Sequence, residues 1–276
     1  MMGVTESQRT PEPRRQFDAP VEKASTTGLR RFNVGMGLLH LAQGVLMVVL
    51  SSSFSLPIVT NFLYYNAATR SLFPRPETVL SIRIGPAVAA FLFLSAIAHF
   101  TVASPWVYPW YARRIGTGAN PARWVEYSLS SSLMIVIIAM LVGIYDIAAL
   151  VAIFGVNACM ILFGWVMERY NAGRPVVDWL AYWFGVFAGA VPWIAIGIYL
   201  LGAGAGTSAR PPTFVYFIYV SMFLFFNVFA LNMVFQYRRY GPWKSVLFGE
   251  RVYVVLSLVA KSALAWQVFA GTLRPQ

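Results

Sequence analysis

Leu256-Ser257-Leu258-Val259-Ala260-Lys261-Ser262-Ala263-Leu264-Ala265-Trp266 sets a lysine in the middle of an apolar run that covers roughly residues 245–272. A run of that length reads as a membrane-crossing helix, which takes about 20 mostly apolar residues. An ammonium at its midpoint is too deep for the stem to carry it to the interface. Ionisable groups at such depth are functional candidates by default. Reading outward with the same window finds six more runs, at about 31–52, 80–103, 121–143, 146–170, 175–201 and 211–237. The fold class is therefore an all-α membrane protein, a bundle of seven transmembrane helices.

Composition supports that reading. Of 276 residues, 58% are hydrophobic and 11% are charged, against about 25% charged in a soluble domain. This excludes a cytosolic globular enzyme and a disordered chain. The charge balance is basic, 21 Lys and Arg against 10 Asp and Glu. A nucleic-acid binder would carry such charge on a polar surface; here most of it flanks apolar runs, so no nucleic-acid partner is expected. The single cysteine, Cys159, excludes an internal disulfide framework and a multi-cysteine metal site. No metal is expected.

Residues 1–29 are polar and proline-containing and read as a disordered tail, not a signal peptide, because the apolar stretch starts late and runs to full span length. Residues 30–276 form one seven-helix domain. Asn120-Pro121 reads as a cap with proline at the first helical position, with Pro175 and Pro211 in similar places. Pro192 is expected to kink the fifth span. The longest connection, 54–79, carries β-formers (Ile58, Val59, Phe62, Tyr64, Tyr65) and then Phe73-Pro74-Arg75-Pro76, which suggests a short β-hairpin between the first two spans.

Orientation follows from the basic residues. The N-tail and the 2–3, 4–5 and 6–7 connections carry fifteen; the opposite side carries Arg70, Arg75, Arg83, Arg210 and Arg274. The positive-inside rule puts the N-terminus in the cytoplasm and the C-terminus outside. Trp106, Trp110 and Trp243 read as interfacial anchors.

Four acids lie at span ends: Asp146, Glu168, Asp178 and Glu250. A headgroup-level position is the simpler reading for each. Two groups escape it, Lys261 and Glu126, the latter about a turn and a half into the third span. Neither can stay unpaired in hydrocarbon, so the two should meet. Both spans enter from the same side, and helical side chains lean toward their own N-terminus. Ser257, four residues before Lys261, shares its face. A structural ion pair and a reactive site are equally open at this point. A lysine in a dry pocket is a good amine nucleophile and condenses with aldehydes. The protonated Schiff base so formed needs a counter-ion, and Glu126 is the one carboxylate suited to serve.

Seven spans, N-terminus in, Glu126-Tyr127 followed by serines, Ser257-Leu-Val-Ala-Lys261, His40-Leu-Ala-Gln43 and a second histidine at His99 together resemble heliorhodopsin. The resemblance covers nearly the whole chain after the tail. It implies a photoreceptor, not an enzyme, with all-trans retinal held on Lys261 as a protonated Schiff base and Glu126 as counter-ion. Ser257 would hydrogen-bond near the Schiff base. Ser95, Tyr127, Ser131, Asn157 and Met160 would line or polarise the pocket. His40, His99 and Gln43 would form a polar, water-holding cluster on the cytoplasmic side, a transient home for the proton. The family also implies β-structure in the first extracellular loop and a homodimer. The N-tail is longer than the family leads one to expect.

Simpler roles compete with several of these. The histidines could be hydrogen-bonded core residues or axial haem ligands, though haem leaves Glu126 and Lys261 unexplained. Ser95 and Ser131 could be small packing residues. Trp124, Trp193, Trp266 and the series Phe217, Phe223, Phe225, Phe226 and Phe229 could sandwich a polyene or simply fill a membrane core.

The outer half carries Asp146 alone, near the surface, while Glu126, His40 and His99 lie toward the cytoplasm. The expected function is light sensing, with retinal isomerisation and a proton that moves locally without net pumping. A light-gated proton channel and a retinal-free protein with a structural Glu–Lys pair are the alternatives. The basic inner face would meet anionic lipid or an unidentified cytoplasmic signalling partner. The expected location is a prokaryotic plasma membrane.

Overall fold

A computed structural model describes residues 23–206 and 210–274, with side chains from Gly28 onward. Eight α-helices and one hairpin follow in the order α1 (Lys23–Leu50), β1 (Ser55–Asn66), β2 (Ser71–Arg83), α2 (Ile84–Ala103), α3 (Tyr108–Gly116), α4 (Pro121–Leu141), α5 (Ile147–Asn171), α6 (Leu180–Gly202), α7 (Thr213–Tyr237) and α8 (Val246–Val268). A 3-10 turn, Gly241–Lys244, precedes α8, and a π-helical turn, Phe269–Leu273, extends it. All of these helices but α3 are long and apolar enough to cross a membrane, which gives the seven expected spans.

Caps set several starts. Asn120 accepts from the backbone N–H of Arg123, with Pro121 at the first helical position. Asp146 accepts from the N–H groups of Ala148 and Ala149. Ser245 accepts from that of Phe248. Each satisfies donors that a helix start leaves open. The expected starts at Pro175 and Pro211 fall before the observed ones, Leu180 and Thr213. Helix α6 runs unbroken through Pro192.

The hairpin is longer than expected. It pairs Ser55 with Arg83 through Asn66 with Ser71, with a bulge at Ile58/Val59, and takes residues 80–83 from the expected second span. The disordered tail expected at 1–29 lies outside the described residues for 1–22; from Lys23 the chain is already helical. Helix α3 was not expected. It buries Tyr111 and Ile115 and exposes Arg113 and Arg114, so it is amphipathic rather than spanning.

The bundle has two distinct ends. At the hairpin end, Ser52 N–H donates to the Leu273 carbonyl, Val59 N–H to Tyr145 and Ile84 N–H to Phe54. At the other, called here the N-terminal end, Arg30 Nε donates to the Ala103 carbonyl at 2.8 Å. Helix α4 is the innermost, 61% buried over its apolar window against 17% for α5 and α7. Its buried Met134, Ile135, Ile137 and Ile138 pack with Val88, Phe91 and Leu92 of α2 and Ala260, Leu264 and Ala265 of α8. The site residues of α2, α4 and α8 thereby face one another.

Candidate functional site

Lys261 and Glu126 meet. Lys261 Nζ lies 3.0 Å from Glu126 Oε1 and 2.7 Å from Ser257 Oγ, and 5.0 Å above the Tyr127 ring. Ser95 Oγ donates to the same Glu126 oxygen at 2.6 Å. The lysine side chain is 4% exposed and the glutamate 9%. Buried charges persist when they are paired and hydrogen-bonded, and this pair has both supports. Tyr127 is fixed by its phenol, which donates to the Tyr253 carbonyl at 2.8 Å.

Asn157 Nδ2 donates to Ser131 Oγ at 2.9 Å and Ser132 Oγ at 3.0 Å, and Ser131 Oγ donates to the Tyr127 carbonyl at 2.7 Å. Asn157 thus reaches the site through Ser131, and Ser95 reaches it through Glu126. Ser130 was not singled out by the sequence. Its hydroxyl is buried beside the Glu126 carboxylate, one turn beyond it on the wall of the lysine chamber.

That chamber, about 50 Å³, is lined by Tyr127, Ser130, Met160, Phe229, Ser257 and Lys261 among others. A larger one of about 250 Å³ adjoins it, sharing Tyr127, Met160, Ile161, Phe226 and Phe229. Trp124, Trp193, Phe223 and Tyr253 line its far part, and Trp193 meets Phe223 and Phe226 edge-on at 5.5 and 5.4 Å. Gly164 and Gly189 keep this space clear: a Cβ at Gly164 would come within 2.4 Å of the Trp124 ring, and one at Gly189 within 2.5 Å of Met160 Sδ. A primary amine with its anion, at the end of an elongated, aromatic-walled apolar cavity, suits a long apolar aldehyde. Retinal is such a molecule, and the residues present fit it. The expected sandwich is partly met: Trp124, Trp193, Phe223, Phe226 and Phe229 line the cavity, while Phe217 is exposed and Trp266 Nε1 donates to Gln43 Oε1 at 3.1 Å.

The two histidines stack, with ring centroids 5.6 Å apart. Both nitrogens of His40 are buried without a partner among the described residues. His99 Nδ1 lies 2.8 Å from Asn33 Oδ1, and Asn33 Nδ2 donates to the Leu29 carbonyl. That second bond fixes the amide, so its oxygen faces the ring and His99 Nδ1 carries the hydrogen. In the neutral ring Nε2 is then the free acceptor. Gln43 is hydrogen-bonded to neither histidine; its amide joins α1 to Trp266 of α8, beyond Lys261 toward the hairpin end. Asn33 holds the position in the cluster that was expected of Gln43.

The headgroup reading is corrected for two acids. Glu168 and Glu250 are buried, 5% and 1% exposed, and both pair with Arg123, one on each terminal nitrogen of its guanidinium. Asn120 completes the set, its backbone N–H on Glu168 Oε2 at 2.9 Å and its Nδ2 on Glu250 Oε2 at 2.8 Å. The guanidinium also lies 3.9 Å from the Tyr253 ring and 4.5 Å from that of Trp124. An acid at a span end suits lipid headgroups and a buried partner equally well, so only the fold decides. Asp146 keeps a surface place as the α5 cap and accepts from Asn61 Nδ2 at 3.3 Å; Asp178 forms a half-exposed pair with Arg174. Trp243 is not a free anchor: its Nε1 donates to Asn232 Oδ1 at 2.6 Å.

Against known proteins, the model of the heliorhodopsin family matches residues 29–273, nearly all of the described chain. No curated protein matches the sequence.

Proposed function

The chain belongs to the heliorhodopsin family, a multi-pass, retinal-binding, light-sensing membrane protein, and from that premise we propose how its residues serve the chromophore. Lys261 holds all-trans retinal through Nζ. Retinal supplies the light absorption and the isomerisation. Glu126 balances the positive charge at Nζ, Ser257 and Ser95 orient the pair, and Met160, Tyr127 and the aromatic walls bind the polyene and exclude water. Ser131 and Asn157 fix the backbone of α4 beside it. A proton leaving Nζ is held locally by Glu126 and the His99–His40 pair and returns without crossing the membrane. His99 Nε2 is the acceptor that Asn33 leaves open.

One observation carries the reading: a buried amine, 3.0 Å from a buried carboxylate, opens onto an apolar cavity large enough for an elongated ligand. The proposed orientation has the N-terminal end in the cytoplasm of a prokaryotic cell and the hairpin outside, as the basic residues require. A homodimer and an unidentified cytoplasmic signalling partner complete the proposal. The test is the visible spectrum of the full chain in membranes after addition of all-trans retinal. A band in the wild type that is missing in Lys261→Ala supports the reading. No band in folded wild-type protein returns Glu126–Lys261 to a structural ion pair.

A further inference from the structure

Two buried carboxylates share one guanidinium at the N-terminal end of the bundle. All four of their oxygens face a donor that cannot accept in return: two Arg123 N–H groups, the Asn120 N–H and the Asn120 amide. Two carboxylates thus share a single guanidinium and have no other cation among these hydrogen-bond partners. From the elements packed around it the facing titratable groups are His99 of α2, Tyr111 of α3, Tyr127 of α4, Tyr237 of α7 and Tyr253 of α8. Burial, reinforced by the Glu250 carboxylate, pushes the Tyr111 phenol up, so it adds no charge. Arg251, the next residue after Glu250, is exposed to solvent.

The cluster is one helical turn from the counter-ion. Arg123 and Glu126 are three apart on α4, and a cavity of about 40 Å³ touches both. Its other polar walls are Asn33, His99, Tyr111, Asn120 and Tyr127. A site needs only about 10–15 Å³ and a few polar partners to hold a water, so this cavity can hold water between Glu126 and the Arg123–Asn120 edge of the cluster, behind which the two carboxylates lie.

We infer that the Arg123–Glu168–Glu250 cluster is the terminal station of the light-driven proton and the switch that reports it at the N-terminal end. The inference rests on the retinal reading above. The proton leaves the nitrogen of Lys261, passes by way of Glu126, His99 and water, and ends as an O–H on Glu168 or Glu250. No electron moves and no heavy-atom bond changes. The new hydroxyl removes the negative charge that held the guanidinium, so that carboxyl loses its ion pair and one arm of Arg123 is released. Arg123 is on α4, Glu168 on α5 and Glu250 on α8, so the released arm loosens two helices at the face proposed to meet a cytoplasmic partner.

Infrared difference spectroscopy on the full chain in membranes with retinal tests this. Illumination should create a carboxylic-acid C=O band that is lost in Glu168→Gln or in Glu250→Gln and kept in the exposed-site control Asp178→Asn. Amide exchange in the wild type should quicken under light at the ends of α4, α5 and α8 near Asn120. On the retinal-free protein, acid titration should raise the same band, again lost in the same variant. A photocycle with no such band, or with a band lost only in Glu126→Gln, overturns this inference and leaves the retinal reading standing. No visible band with retinal overturns both.

Discussion

Lys261 and Glu126 depend on each other in a way that can be measured without any chromophore. Each is buried, and each is charged because the other is present. Removing one partner of a buried pair typically costs about 3–5 kcal/mol, because the other is left uncompensated. Glu126→Gln and Lys261→Met should each lower the thermal stability of the retinal-free protein by that order. The double variant should recover most of the loss. Additive losses would mean that the two charges do not stabilise each other. A second residue-scale prediction concerns His99. Its Nδ1 should carry the hydrogen in the dark state, seen as a protonated-type 15N resonance at Nδ1 and an unprotonated one at Nε2. Asn33→Leu should abolish that preference; an unchanged pattern would remove Asn33 from its role. The pair was legible in the sequence because both residues sit in apolar runs where charge has no other explanation. Asn33 was not, because an amide near a helix start has many ordinary roles, and only the 2.8 Å approach of His99 singles it out.

Hydrophobic runs of about 20 residues have few alternatives to a spanning helix, so all seven spans were legible and their ends differ from expectation by only a few residues, except that α1 starts at Lys23 rather than about 31. Short amphipathic α3 gave no such run. Residues 80–83 suit a strand or a span equally; pairing with Ser55–Ile58 makes them strand. Glu168 and Glu250 were misread because polarity near a span end says nothing about which way a side chain faces. Arg123 decides it, placed by the Asn120-Pro121 start of α4. Asp146 likewise ties the hairpin to α5: it caps α5 and accepts from Asn61, beside the Val59 N–H bond to the Tyr145 carbonyl. Losing a cap of this kind costs about 1–2 kcal/mol. Asp146→Ala should destabilise by that order and quicken amide exchange at Ala148 and Ala149 and in β1 near Val59. Asp146→Asn, which keeps an acceptor, should cost little. Equal losses in both variants would show that charge, not capping, is what matters there.

Across the whole molecule the polar groups are unevenly spread about Lys261. Toward the N-terminal end lie Glu126, His40, His99 and the Arg123 cluster. Toward the hairpin end, among the described residues, the buried and part-buried polar contacts include Asn157 with Ser131 and Ser132, Ser221 with Gln267, Gln43 with Trp266, and the Tyr219 phenol, which donates to the Trp193 carbonyl. Asp146 sits at the surface, occupied by the α5 cap. A pump needs groups that bind and release a proton on both sides of the amine; amides do not titrate and cannot serve as the second set. On the proposed function, a proton leaving Lys261 goes toward the N-terminal end and returns the same way. Illuminated vesicles containing the retinal-loaded protein should show no sustained pH change with or without a protonophore, and clamped membranes no stationary photocurrent at any voltage. A current that follows the imposed gradient would instead require a continuous path past Gln43 and Gln267, and replacing either by leucine should then abolish it.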